Sequence, residues 1–141
     1  MNREIKFRLR VNNRVVGYEK WYGGEEKEES SVSAKPQWLY SKDGKYWNPE
    51  YIYHNRKDQF TGLLDKNGKE IWEGDILRNT KSKEIFEVWW DIEMASFGGI
   101  DRAKEKIGGV EYGPTLFPLS GKLEVVGNIY ENPELLKNGS N

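Results

Sequence analysis

Between Gln59 and Asn79 the chain reads QFTGLLDKNGKEIWEGDILRN, and the two reversals inside this stretch constrain the fold more than any other feature. Asp65, Lys66, Asn67 and Gly68 supply a tight turn, because Asn and Gly tolerate the positive φ angles that a two-residue hairpin connection demands. Leu63 and Leu64 lead into it, and Glu70, Ile71 and Trp72 lead out. Glu73, Gly74 and Asp75 form a second break, after which Ile76 and Leu77 restart an extended apolar segment. Two reversals so close together predict antiparallel sheet, not helix. A Gly-Asp pair at a strand entrance also suits a small, strongly bent barrel, since glycine accepts the backbone angles of a bulge.

The 141 residues suffice for a small barrel plus an accessory part. The expected division is an N-terminal β-rich part over 1–58, with a mobile acidic loop at 23–36, and a barrel domain over 59–141, with a long excursion at 93–122. Lys and Arg total 22 against 23 for Asp and Glu, so a net charge of −1 gives no global pull toward nucleic acid. Six Trp and eight Tyr, beside a mean hydropathy of −0.87, favour a β protein with large side chains in a small core. The absence of Cys excludes disulfides and thiolate metal sites. The charged start MNREIKFRLRV lacks the apolar core of a signal peptide, and no later run is long enough to cross a bilayer, so the chain reads as cytoplasmic.

From Ile5 to Val11 apolar residues alternate strictly with Lys6, Arg8 and Arg10, which predicts a half-buried strand with a cationic outer face. That face is a solvated or charge-defended strand surface, or else a phosphate-contacting ridge. Asn12 and Asn13 make a turn and Val15 to Tyr22 returns. The run 23–36 is too acidic, Ser-rich and Gly-rich to support a core, and Glu25, Glu26, Glu28 and Glu29 read as a hydrated charge run, not a cation site. Trp38 to Tyr40 and Tyr46-Trp47 flank Ser41-Lys42-Asp43-Gly44, a hairpin signal, and Tyr51 to Tyr53 reads as a further extended piece. The aromatic cluster Trp38, Tyr40, Tyr46, Trp47, Tyr51 and Tyr53 is read as cross-strand pairs filling a thin core, with a stacking platform as the alternative. His54, the only histidine, reads as a turn or surface residue.

Thr80 to Lys83 is a polar turn, and Glu84 to Ile92 the clearest strand. From 93 to 122 the pattern fades into an excursion, with short strands at Gly109 to Tyr112 and Thr115 to Leu119 and a helical turn at Asp101 to Lys106. Leu123 to Tyr130 is a last strand, bent at Gly127-Asn128. Asn132 and Pro133 then read as N-cap and first position of a short helix.

Three blocks carry a family likeness: Arg3 to Arg8 (REIKFR), QFTGLLDKNGKEIWEGDIL from Gln59 to Leu77, and EVVGNIYENPELL from Glu124 to Leu136. On these the chain resembles the YopX family of phage and prophage proteins. The resemblance implies a mainly β architecture, an SH3-like small β-barrel in the C-terminal part closed by the last strand and short helix, and expression in a bacterial cytoplasm. It implies no catalytic residues.

Four carboxylates, Glu73, Asp75, Asp91 and Glu93, have the spacing to share a magnesium ion for phosphodiester cleavage. Turn capping by their own backbone is the better account, and no nucleotide loop, nucleophile motif or cofactor signature accompanies them. The favoured expectation is a non-catalytic protein without cofactor, an adaptor or self-associating module. A nucleic-acid-binding accessory protein is the alternative and a metal nuclease the least favoured. The candidate interaction surface is Lys6, Arg8, Arg10, Trp38, Tyr46, Trp47 and Arg78.

Overall fold

The computed structural model describes residues 4–24, 35–106, 109–115 and 120–137, with the backbone alone over 101–106, 109–115, 120 and 137. Among these residues the chain is mainly antiparallel sheet, with ten strands and one short helix. It divides into two compact units, Met1–Gln59 and Phe60–Asn141. The acidic loop expected at 23–36 falls on residues 25–34, outside the described residues, as do its four glutamates.

In the first unit, β1 (Lys6–Val11) and β2 (Arg14–Tyr22) form a hairpin whose turn residues Asn12 and Asn13 take φ of 49° and 76°. Both signs are those of the turn type whose twist matches the strands. β3 (Gln37–Ser41) adds to β2, and the first half of β4 (Arg56–Leu64) adds to the other side of β1, giving the order β3-β2-β1-β4. The hairpin expected across Ser41 to Gly44 shrinks to a single bridge, in which Tyr40 and Asn48 exchange backbone hydrogen bonds of 2.7 and 3.0 Å. The Asp43 carboxylate is the reason. It accepts the N–H groups of Lys45 and Tyr46 and the Ser41 hydroxyl, and so winds the chain into a compact turn where a second strand was expected. Tyr51 to Tyr53 likewise forms no strand.

The second unit begins with the other half of β4, which sets Phe60 opposite Trp72 in β5 (Glu70–Trp72). The first expected reversal is longer than a two-residue turn, running from Asp65 to Lys69. Asp65 organises it: one carboxylate oxygen accepts the N–H groups of Asn67 and Lys69, and the other accepts that of Val125. Burial pushes the Asp65 carboxyl up, but these N–H groups outweigh it and hold the group below the usual carboxylate range. The second reversal is as expected, with Gly74 at φ 89°.

β6 (Asp75–Asn79), β7 (Ile85–Asp91), β8 (Ser96–Lys106), β9 (Gly109–Thr115) and β10 (Leu123–Asn128) form a sheet of order β10-β6-β7-β8-β9. Leu77, Phe86, Val88, Phe97 and Leu123 from this sheet bury a core with Ile71 of β5. Among the described residues neither sheet closes into a barrel. The expected closure gives way because the segment read as an excursion supplies two long strands that extend the sheet beyond β7. Asp101 to Lys106 is strand, not a helical turn, and Leu116 to Leu119 lie outside the described residues. The glycines of that segment had read as breaks, yet a Cβ on Gly99 would stand 2.3 Å from Cδ2 of Phe86, so this glycine lets the core ring approach β8 closely.

A 3₁₀ turn at Ser120–Lys122 precedes β10, whose register shifts between Val125 and Gly127 as the bend predicted. Helix α1 (Glu134–Lys137) follows Pro133. Asn132 differs from its expected capping role: its side-chain oxygen accepts the N–H of Asn128, back toward β10. No helix among the described residues is long and apolar enough to cross a membrane.

Candidate functional site

Residues directly opposite each other in an antiparallel ladder share a face, so the register of the first unit sorts its side chains. Phe7 faces Glu19, Glu19 faces Tyr40, Trp21 faces Trp38, and Leu9 faces Lys57. One face of this sheet therefore carries Phe7, Trp21, Trp38 and Tyr40 together with Glu19 and Lys57. Trp21 and Trp38 meet edge to face at 5.3 Å, and Phe7 lies 6.2 Å from Trp38. The Lys57 ammonium stands 4.4 Å over the Phe7 ring and 5.8 Å from Trp38, and donates to Glu19 at 3.0 Å. Trp21 and Trp38 remain 41% and 39% exposed although each packs against the other. Behind them Tyr40 is buried and hydrogen-bonds to Glu19; burial first, then this bond and the Glu19 charge, push its hydroxyl up to about 12.

The outer edge of this sheet is β3. Tyr40 directs its N–H and C=O outward to Asn48, so by alternation Trp38 directs its own the same way. Among the described residues those two groups meet no partner. Pro36, two residues earlier, has no N–H to offer. Among the described residues of β3 the edge is thus open at Trp38 alone, too short for an added strand to bind through backbone alone.

The opposite face holds the cationic residues, and here the structure corrects the expectation. Arg10 is 0% exposed and Arg8 nearly covered; both donate through Nε to one oxygen of Asp58, at 2.7 and 2.9 Å. Arg10 also donates to the Asn13 carbonyl at 2.7 Å. Lys6 pairs with Glu4 at 3.0 Å. The alternation placed these side chains on one face correctly, but that face is not a free phosphate ridge: an acidic residue 48 positions on from Arg10 pairs with both arginines from the adjoining strand. Asp58 was not singled out in the sequence, and only the ladder register, Arg8 opposite Asp58, reveals its role. Arg78 lies in the second unit, paired with Glu124 at 2.7 Å.

The aromatic cluster divides. Only Tyr40 belongs to the core; Trp38, Tyr46, Tyr51 and Tyr53 are exposed, which overturns their reading as core filler. For Tyr46, Tyr51 and Tyr53 the physical reason is the lost hairpin, since none of them lies in a strand with a ladder neighbour to cover it, whereas Trp38 has Trp21 opposite but lies on the sheet's edge strand. Trp47 is partly covered by Lys20, whose ammonium sits 4.4 Å over the ring. Tyr40 and Tyr51 meet edge to face at 5.3 Å, and with Ser41, Lys42, Asp43, Tyr46, Asn48, Glu50 and Ile52 they line an open groove of about 490 Å³. The N–H groups of Tyr46 and then Lys45 hold the Asp43 carboxyl below the usual range. His54 donates from Nδ1 to the Ile52 carbonyl, 2.8 Å away.

Of the four carboxylates weighed as a magnesium site, the two aspartates are engaged by their own turns. Asp75 is buried and accepts the Trp72 N–H, and Asp91 accepts the N–H groups of Glu93 and Met94. Among the described residues no three His, Asp or Glu side chains converge.

A family model described as YopX protein matches residues 12–137, most of the chain. The chain belongs to the YopX family. The match takes in β2, β3 and the groove of the first unit as well as the sheet of the second. Among solved structures, the crystal structure of protein EF1440 from Enterococcus faecalis is similar at a TM-score of 0.46 and 23% identity, over 94% of this chain and 97% of that one. No curated protein matches. Trp21, Glu19 and Lys57, which complete the aromatic face, went unremarked in the sequence because nothing local shows that Lys57 approaches Phe7 and Trp38.

Proposed function

We propose that this YopX protein is a non-catalytic protein-binding module, acting in the cytoplasm of a bacterium that carries a phage or prophage. On this reading its aromatic face, Phe7, Trp21 and Trp38 with Lys57 at its margin, receives a partner surface. The observation that carries it is the Trp21–Trp38 pair: two large rings, held in place yet exposed, at a sheet edge too guarded for strand addition. Rigid, partly exposed tryptophans of this kind are the residues on which binding energy concentrates, because they lose little conformational freedom on contact. Interaction through side chains, not through an added strand, follows from the single open residue on β3.

The partner is a host protein or a second copy of the chain. An SH3-like use of the second unit remains compatible with this role, as does the nucleic-acid alternative, although Arg8, Arg10 and Arg78 already have acidic partners. The deciding experiment is affinity capture from infected cells, run with and without nuclease, with the unaltered protein and with Trp38→Ser. A protein retained after nuclease, and lost by about thirtyfold or more with Trp38→Ser, is the expected result. Capture abolished by nuclease, together with low-salt binding of single-stranded DNA, sinks the proposal in favour of the alternative. Light scattering decides between partners, since a particle of 16.5 kDa at all working concentrations excludes self-association.

A further inference from the structure

The groove beside the Asp43 turn has a chemistry of its own. Tyr46 is 80% exposed over it, Tyr51 is exposed beside it, and Tyr40 stands edge to face against Tyr51. Three phenol rings thus line one open space of about 490 Å³. The charges around them are Asp43, Glu50 and Lys42. Asp43 stays ionised because the turn's N–H groups hold its carboxyl low. Among the described residues the Glu50 carboxylate has no partner, although its own N–H is tied to the Asn48 side chain, which fixes where Glu50 emerges.

We propose that this groove takes an arginine side chain presented by the partner protein. A guanidinium is flat, stacks on aromatic faces and directs a fork of donors at a carboxylate, so the tyrosines and Glu50 together match both of its properties. The same rings would stack a nucleobase, but two carboxylates against one lysine oppose the phosphates that accompany it. An acidic side chain would meet the wrong sign of charge. Tyr40, which packs on Tyr51 at the groove, lies two residues after Trp38 on β3, so the groove begins within two residues of Trp38. The inference rests on the protein-binding reading only in that the arginine comes from a partner.

The test is an NMR titration of the ¹⁵N-labelled full chain with three probes: a capped Gly-Ser peptide carrying three arginines, its glutamine counterpart, and an oligothymidylate of equal length. The arginine peptide is expected to shift the amides of Gly44, Lys45, Tyr46 and Tyr51 and to bind about tenfold tighter than the glutamine peptide. Tyr46→Ala and Glu50→Gln should each weaken it by about two- to fivefold, whereas Ile92→Ser, at an exposed position of the second unit, should leave it unchanged. Tyr46 is so exposed that its removal leaves the fold intact. Equal affinity for the two peptides, indifference to both variants, or the same shifts with oligothymidylate overturns the proposal. Partner capture that still depends on Trp38 in that event leaves the protein-binding reading standing without the groove.

Discussion

At Asp58 a single carboxylate oxygen receives two arginines, one of them fully removed from water. Burying such a cluster gains little over apolar packing, but taking away its acidic member leaves the Arg10 charge in surroundings that cannot solvate it. Asp58→Asn should therefore cost about 3–5 kcal/mol of unfolding free energy, read as a lower urea midpoint by tryptophan fluorescence. An unchanged midpoint would show that the cluster is solvated in solution. Tyr40 makes a second residue-level prediction, with a sign that can be worked out. Its hydroxyl is raised from an ordinary 10.0 to about 12, so the stability from its protonated form is fully present below pH 10 and lost as pH rises through 12. Removing the hydroxyl removes the titration, and Tyr40→Phe should flatten the alkaline fall in thermal midpoint between those values.

At the scale of elements, turns obeyed local chemistry wherever the backbone alone sufficed. Asn12-Asn13 closes the first hairpin with two positive φ angles, and Gly74 makes the second central reversal. Side chains that reach beyond the turn changed the outcome. Asp65 lengthens the first central reversal by gathering amides from its own loop and from β10, and Asp43 replaces an expected strand with a compact turn. Gly98-Gly99 misled for a related reason: the pair reads as a chain break, but the glycine serves the close approach of Phe86. Gly99→Ala should destabilise the second unit by about 1–3 kcal/mol through overpacking, and adding Phe86→Leu should recover part of that loss in chemical denaturation. Additive losses in the double variant would mean that ring and glycine do not meet.

For the whole molecule, each unit has its own pattern of protection. The core around Leu77, Phe86, Val88 and Leu123 is buried and laddered on both sides, whereas residues 42–54 of the first unit are held by one bridge and side-chain caps. Hydrogen exchange should accordingly be slower by roughly a hundredfold or more at 76–77 and 86–88 than at 42–54; equal rates would contradict the ladder. By itself the sequence determined that this is a mainly antiparallel β protein of the YopX family, because alternation and turn residues act over a few positions and survive any tertiary context. It also determined that Lys6, Arg8 and Arg10 share a face. Tertiary structure alone decided that Asp58 pairs with Arg8 and Arg10, that Trp38, Tyr46, Tyr51 and Tyr53 stand outside the core, and that neither sheet closes among the described residues. Those outcomes depend on which strands become neighbours across tens of residues, and local patterning carries no record of that distance.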